Sequence, residues 1–186
     1  MNLKELKAAE TRRRFIDVAH ELFLKQGYGT TSMNQIAQVA GGSRANLYLH
    51  FRNKPDLMMA KMRDIEPSVR APILKVFELP EHTMDSIRGW LDELGVMWRD
   101  YAPTFSAMEQ AMGEDETVAD EWLGMMRRLS FAVPFLEGHE ERRFQFLTNL
   151  MSLDRNFYFL YIRNQDTNED MVKKSLARQW LTLFDI

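Results

Sequence analysis

Two short helical segments joined by a glycine pair, within residues 30–57, constrain the fold more than any other part of the sequence. Ser32 followed three residues later by Gln35 is typical of a capping box, in which each side chain accepts a hydrogen bond from the other residue's free backbone N–H. A helix is therefore expected to begin at Met33. Apolar residues then recur at helical spacing as far as Gly41-Gly42, where glycine gives the chain freedom to turn.

A second helix is expected to follow this turn directly. Ser43 can cap it, and it should run from Arg44 to about Phe51, with Leu47 and Phe51 on its buried face. The residues left for the opposite surface are Arg44, Ala45, Asn46, Tyr48 and His50. Two short helices separated by a tight turn predict a helix-turn-helix.

In a helix-turn-helix, the start of the second helix enters the major groove of DNA. Arg44 can bond to O6 and N7 of guanine, and Asn46 can bond to N6 and N7 of adenine. Ala45 is small enough to touch a thymine methyl group or to let the backbone approach the bases. These three residues are the predicted base contacts.

Hydroxyl, imidazole and ammonium groups suit phosphate contacts, which fix the docking of a protein without reading the base sequence. The predicted phosphate contacts are Ser32, Ser43, Tyr48, His50 and Lys54. For any one of these residues the alternative is a plain solvated helical face, but the whole array at motif spacing favours DNA binding.

Charge is divided unevenly along the chain. Residues 1–54 contain nine Lys or Arg and four Asp or Glu, a net charge of +5, whereas the remainder carries −8 and the whole chain −3. A basic end on an acidic chain is the electrostatic footprint expected of a small nucleic-acid-binding domain.

The segment from about Arg12 to Leu57 resembles the DNA-binding domain of the TetR/AcrR family of bacterial repressors. The residues that carry the resemblance are Phe15, Ile16, Ala19, Leu22 and Phe23 in an opening helix, Gly27-Tyr28, Thr31-Ser32, Ile36-Ala37, and an ending in Leu47-Tyr48, His50-Phe51, Lys54 and Leu57. That ending is similar to the family's L-Y-x-H-F-x-x-K-x-x-L signature. The resemblance implies phosphate roles for Tyr48, His50 and Lys54.

One position departs from the family pattern. The family usually has an aliphatic residue where Gly42 stands in this chain. Losing that side chain is expected to remove a small buried contact and to loosen the turn, because glycine loses more backbone entropy on folding than other residues do.

Length and composition bound the rest of the chain. With 186 residues and 45% hydrophobic content, it can form a second domain, and we expect domains at 1–54 and 55–186. The absence of cysteine excludes disulfides and thiolate metal sites, and neither a metal nor a cofactor is expected. No apolar run approaches the roughly 20 residues that cross a bilayer, so a cytoplasmic protein without a membrane partner is expected.

Beyond the motif, the apolar residues recur at helical spacing, so the predicted fold class is all-α. We expect an N-terminal three-helix domain followed by a helical ligand-binding and dimerisation domain. Asn53 can cap a connector that continues, bent, past Pro67 and Pro72 to Phe77. Further helices are expected at about 84–101, 103–112, 116–135, 140–164 and 168–184.

Large, soft side chains cluster in the middle helices and suit a pocket for a bulky apolar ligand, since Met adapts its shape and Trp offers a flat contact area. The predicted pocket residues are Trp90, Leu94, Met97, Trp98, Phe105, Met108, Trp122, Met125, Met126, Asn149, Ser152 and Phe157. Plain core is the alternative for each of them. The resemblance implies helices that enclose a ligand, and this part is similar to mycobacterial repressors with long hydrophobic pockets.

The last two helices carry apolar residues on more than one face, which indicates a second packing partner. The resemblance implies that this partner is another copy of the chain. The predicted interface residues are Phe159, Ile162, Leu176, Trp180 and Leu183. A two-fold dimer would present two recognition helices to a pseudo-palindromic operator in double-stranded DNA.

An enzyme is the alternative class, and the sequence lacks the groups for one. The four histidines, His20, His50, His82 and His139, are scattered, and there is no G-x-S-x-G elbow, P-loop or cysteine nucleophile. A DNA-binding architectural protein without a ligand stays open, because it would use the Met and Trp cluster as core. The resemblance implies a repressor released from its operator by a small apolar ligand.

Overall fold

The computed structural model describes residues 2–165 and 168–184, and all regular secondary structure within them is helical. The predicted all-α fold class is therefore confirmed. The helices are α1 (Leu3–Gln26), α2 (Met33–Val39), α3 (Arg44–His50), α4 (Lys54–Leu74), α5 (Met84–Glu114), α6 (Glu116–Phe131), α7 (Glu140–Phe157) and α8 (Glu169–Leu181). Short 3₁₀ turns cover Lys75–Glu78 and Pro134–Leu136, and a π turn covers Tyr158–Ile162. Among these described segments, no helix has both the length and the apolar character to cross a membrane.

The chain forms two compact units. The first consists of Met1–Glu66 and Pro103–Glu121, and the second of Pro67–Ala102 and Trp122–Ile186. Helices α4, α5 and α6 each contribute residues to both units. The division after residue 54, which separates the DNA-binding segment from the rest, stays a prediction.

Local capping explains where the short helices begin. The Gln35 N–H donates to Ser32 Oγ over 3.3 Å, and the Ser32 N–H donates to Gln35 Oε1 over 2.9 Å, so the predicted capping box of α2 is confirmed. Ser43 Oγ accepts the Asn46 N–H at 3.1 Å at the start of α3. Each cap satisfies backbone groups that a helix leaves free at its first turn.

The turn between α2 and α3 explains the unusual Gly42. Gly41 adopts a φ of 67°, the left-handed conformation that favours glycine. A Cβ added at Gly42 would lie 3.0 Å from Cζ of Phe15, whose side chain is completely buried. The space that an aliphatic residue would fill therefore holds the Phe15 ring, which replaces the contact that the sequence alone suggested was lost.

Helix α5 corrects one sequence prediction. Two helices were expected at 84–101 and 103–112, but a single helix runs from Met84 to Glu114 with Pro103 inside it. Proline removes one backbone hydrogen bond and strains the helix locally. Burial of Trp98 before Pro103 and of Ala107 and Met108 after it supplies packing energy on both sides, which outweighs that local cost.

The later helices end earlier than the sequence suggested. The α-helix expected over 140–164 ends at Phe157 and continues as the π turn, and the one expected over 116–135 ends at Phe131. The apolar pattern continues past both ends because the short turns also contribute buried residues, among them Leu136 and Tyr161. Periodicity alone therefore overextends these helices.

Candidate nucleic-acid interface and candidate pocket

The outer face of α3 carries the predicted base contacts. Leu47 is completely buried beneath this helix, while Arg44, Ala45 and Tyr48 are exposed and Asn46 is half-buried. The Arg44 guanidinium lies 5.4 Å from the centre of the Tyr48 ring, a cation–π distance. The helix thus presents a cation and small or polar side chains at its N-terminal end, as major-groove reading requires.

Lys54 begins α4 and is tied to the loop between α1 and α2. Its ammonium donates a hydrogen bond to the Tyr28 carbonyl oxygen over 2.7 Å and lies 4.0 Å from the centre of the Tyr28 ring. A longer bond, 3.5 Å, goes to the Gly29 carbonyl oxygen. An ammonium has three donors, so one remains for a phosphate oxygen.

The loop that holds Lys54 is itself supported by the end of α5 within the first unit. The Tyr28 N–H donates to Gln110 Oε1 over 3.2 Å, and a Cβ at Gly29 would lie 2.6 Å from a Glu114 carboxylate oxygen. Burial, followed by the charges of Asp115 and Glu114, raises the pKa of Tyr28 well above its usual value. The phenol therefore stays neutral, and the electron-rich face of its ring makes a cation–π contact with the Lys54 ammonium.

The remaining predicted phosphate contacts differ in whether their hydrogen-bond donors are already used within the chain. Ser32 Oγ lies 3.0 Å from Gln35 Oε1, whereas Ser43 Oγ accepts only the capping bond described above and its own O–H can donate outward. His50 is half-buried, with its ring centre 5.9 Å from that of Phe15. The Ser43 hydroxyl can therefore donate to a phosphate, whereas the Ser32 hydroxyl already donates to Gln35.

Leu49 lies in the same helix and was not assigned a role from the sequence. It is 83% exposed, more than any other large hydrophobic residue among those described. Residues four apart share a helical face, so the sequence places Leu49 beside Ala45, a predicted base contact. That position was the sequence signal that could have identified it.

The twelve predicted pocket residues are all buried or half-buried, ten of them in the second unit and Phe105 and Met108 in the first. Several contact other core residues. The Trp90 indole N–H donates to the Pro72 carbonyl oxygen over 2.9 Å, and the rings of Trp98 and Phe157 meet edge to face at 5.9 Å. These contacts are those of packed core, and the pocket stays a prediction.

The two polar residues proposed to contact a ligand instead bond to α8. The Asn149 side-chain amide donates to the Gln179 carbonyl oxygen over 3.4 Å, and the Ser152 hydroxyl donates to Gln179 Oε1 over 3.0 Å. A groove of about 640 Å³ in the second unit is lined by none of the predicted pocket residues. Its lining is Pro67, Arg70, Ala71, Pro72, Leu74, Lys75, Glu78 and Glu93.

The predicted dimer interface needs a correction. Leu176, Trp180 and Leu183 are covered by their own chain, and the Trp180 ring packs 4.7 Å from that of Trp90. Their side chains belong to the core and are not available to a partner. Helical periodicity cannot separate a face that packs inside the chain from one that packs against a second copy.

The apolar surface that remains lies on α7 and the π turn. Phe144 is 64% exposed, Met151 40% and Phe159 38%, and Ile162 is half-buried. The spacing of seven and eight residues places Phe144, Met151 and Phe159 along one side of the helix.

Regular structure in the described residues is helical, and α3, the second helix of the predicted helix-turn-helix, is short and capped. It presents Arg44, Ala45 and Tyr48 outward, as in a DNA-binding helix-turn-helix. Residues 15–60 match the model of the bacterial regulatory proteins of the tetR family. The resemblance to the TetR family that was inferred from the sequence is therefore confirmed over this segment, which is about a quarter of the chain.

Relatives agree with this assignment. The transcriptional regulator AcrR of Shigella flexneri is 47% identical over 51 residues, which are 27% of this chain and 24% of that protein. A TetR-family regulator from Streptomyces coelicolor superposes with a TM-score of 0.64 at 16% identity over 98% of this chain and 82% of that chain. The SmeT–triclosan complex gives 0.55 at 15% identity over 90% of each chain. At such identities the solved structures establish the fold alone. The relative matched in sequence is a transcriptional regulator, and this chain spans about a quarter of its length.

Proposed function

We propose that the chain is a homodimeric cytoplasmic repressor that binds a pseudo-palindromic operator and is released from it by a small apolar ligand. The observation that carries the proposal is the exposed N-terminal end of α3, where Arg44, Ala45 and Asn46 follow the Ser43 cap. Arg44 would read guanine, Asn46 adenine, and Ala45 would let the helix approach the bases.

Phosphate contacts would fix the register of α3 in the groove. Lys54 suits this role, because its bonds to the Tyr28 and Gly29 carbonyl oxygens hold the ammonium and leave one donor for a phosphate. Ser32, Ser43, Tyr48 and His50 complete the proposed set, and the net charge of +5 over residues 1–54 favours their approach to DNA.

An apolar ligand is supported by the chemistry of the second unit. Its core is rich in Trp and Met, which give flat and adaptable surfaces. Triclosan, an apolar aromatic molecule, is bound by SmeT, which shares this fold. A ligand of this class would have to open contacts such as that between Trp98 and Phe157.

Dimerisation is assigned to the apolar side of α7 and the π turn. Phe144, Met151 and Phe159 offer the exposed surface that a two-fold partner would cover, with Ile162 beside them. Two copies joined there would each present one α3 to successive turns of the same DNA face.

Selection from a pool of random duplexes tests the proposal directly. The wild-type protein should enrich an inverted repeat, and fluorescence anisotropy should then show weaker binding to that repeat as triclosan, or a compound co-purified with the protein, is added. Failure to enrich any sequence would contradict operator recognition.

A ligand-independent DNA-binding protein is the second candidate. It is favoured by the bonds of Asn149 and Ser152 to Gln179, which occupy the groups proposed for ligand recognition. Operator affinity that no bound compound alters would support it over the ligand-released repressor.

A further inference from the structure

Leu49 exposes an apolar side chain in the middle of a polar surface. At 83% exposure it has almost no contact with its own chain. Its neighbours on the outer face of α3 are Arg44, Ala45 and Tyr48, and the buried residue Leu47 points the other way. Covering an exposed leucine with apolar surface is favourable, so Leu49 is available to any apolar group that reaches this face.

The position of Leu49 on the helix defines where that partner would be. Leu49 lies one helical turn beyond Ala45, so the two side chains are neighbours on one face. Arg44 and Tyr48 form the adjacent row, joined by their cation–π contact. A surface that meets Ala45 and Arg44 therefore also meets Leu49.

We infer that Leu49 is a specificity-determining residue that packs against the C5-methyl group of a thymine in the major groove. This inference rests on the proposed function. The thymine methyl is the main apolar group on base edges in that groove, while phosphates and the other base edges present hydrogen-bonding groups that a leucine cannot satisfy. Leu49 thus reads a feature that Arg44 and Asn46 do not.

A protein partner is the competing occupant for an exposed leucine. The surroundings favour DNA, because the segment that contains Leu49 is the basic part of an otherwise acidic chain. A contact with another protein would leave DNA binding independent of Leu49, so the two occupants give opposite results in a binding assay.

The test replaces thymine by deoxyuridine, which removes only the methyl group. On the selected operator, each thymine is replaced in both half-sites and binding is measured by fluorescence anisotropy. At one thymine position the wild-type protein should lose about fourfold in affinity per methyl group, the equivalent of exposing one methyl. Leu49→Ala should bind the thymine operator more weakly and should show no further loss at that position.

Val39→Ala provides the matched control, since Val39 is also an exposed aliphatic residue but ends α2. This variant should keep the wild-type response to deoxyuridine at every position. Thermal unfolding of Leu49→Ala should equal that of the wild type, because the side chain is exposed.

Two results overturn the inference and are distinct. If Leu49→Ala keeps the full wild-type sensitivity to every thymine methyl, Leu49 does not read one, although operator recognition stands. If the wild-type protein enriches no sequence at all, the proposed function fails and this inference fails with it.

Discussion

Arg44 and Lys54 should have different effects on DNA binding, because one faces bases and the other phosphates in the proposed complex. Arg44→Ala is expected to reduce discrimination between operator and random duplex by about 1–3 kcal/mol. Lys54→Ala should weaken binding to both duplexes similarly. It should also reduce the slope of the logarithm of the binding constant against the logarithm of the salt concentration by about one unit. Anisotropy over a salt series measures both effects.

The control for Lys54→Ala is thermal unfolding, since that variant also loses the bond to the Tyr28 carbonyl oxygen. Lys7→Ala, at an exposed position in α1, offers a matched loss of charge outside the motif. Equal losses on operator and random duplex for Arg44→Ala would contradict its assignment to a base.

Gly42 and Phe15 should behave as a coupled pair in stability measurements. Gly42→Val places a Cβ about 3 Å from the Phe15 ring, and overpacking of this kind costs typically 1–3 kcal/mol. Phe15→Leu should release part of that strain, so the double variant should lose less stability than the two single losses added. Urea unfolding measures the coupling, and strict additivity would show that the ring does not occupy the space.

At the scale of elements, a polar cluster joins α5, α8 and the π turn in the second unit. Lys173 is buried and donates to Asp92 at 2.7 Å and to Glu169 at 2.6 Å, and the Tyr161 hydroxyl donates to Glu169 at 2.8 Å. Burial lowers the pKa of Lys173, but its hydrogen bonds to both carboxylates outweigh this and raise it. The bonds from Lys173 and Tyr161 hold the pKa of Glu169 below its usual value.

This cluster predicts how stability depends on pH. A carboxyl group whose pKa is lowered on folding stabilises the protein above its unfolded pKa, and that contribution is lost as the pH falls through the folded value. Lys173→Met should therefore lower the free energy of unfolding at neutral pH and make it less sensitive to acid below about pH 4. Urea unfolding from pH 7 to pH 3 measures this.

Lys174→Met is the matched control for this pH series, since Lys174 is adjacent in α8 but only half-buried. It should follow the wild-type pH dependence closely. An identical acid sensitivity for Lys173→Met and the wild type would show that the cluster does not couple to folding.

Elements bounded by local side-chain bonds are those that the sequence predicts well. Ser32 with Gln35, Ser43, and Asn53, whose Oδ1 accepts the Asp56 N–H at 2.9 Å, each define a helix start within a few residues. Such caps depend only on neighbours in the sequence. The α3 face that presents Arg44 and Ala45 could be predicted for the same reason.

Long-range packing accounts for what the sequence does not predict. The helix through Pro103 continues because residues on both sides of it are buried, which no local pattern records. Trp180 lies inside the chain because Trp90 and Phe146 pack against it, although its spacing equally suits an interface. Leu49 was missed because exposure of an apolar residue is visible only in three dimensions.

At the scale of the whole molecule, the proposed dimer can be separated by charge on the exposed side of α7. Phe144→Glu and Phe159→Glu each place a carboxylate where a partner would cover it, which should cost several kcal/mol of association while leaving the fold intact. Light scattering at micromolar concentration should show dimeric wild type and monomeric variants.

Val96→Glu is the matched control, because Val96 is exposed on α5 and lies outside the proposed interface. This variant should remain a dimer. A monomeric wild-type protein under the same conditions would refute the proposal, and circular dichroism would confirm that each variant is folded.

In the proposed repressor, helix α4 would be the route by which a ligand alters DNA binding. Lys54–Glu66 belongs to the first unit and Pro67–Leu74 to the second, so a rearranged second unit would move the helix that begins at Lys54. A coupling of about 1–3 kcal/mol would change operator affinity 5- to 150-fold. Because coupling is reciprocal, operator DNA should weaken ligand binding by the same factor.

Triclosan is a probe for this coupling, and tryptophan fluorescence would report its binding if it enters near the tryptophans of the second unit. Ser152→Phe, which places a ring beside Gln179, should weaken the fluorescence response or reduce operator affinity without touching the DNA contacts. Arg44→Ala should keep the wild-type fluorescence response and alter DNA binding alone. If triclosan shifts the tryptophan signal while operator affinity is identical with and without it, its binding is uncoupled from DNA binding, which contradicts the coupling through α4.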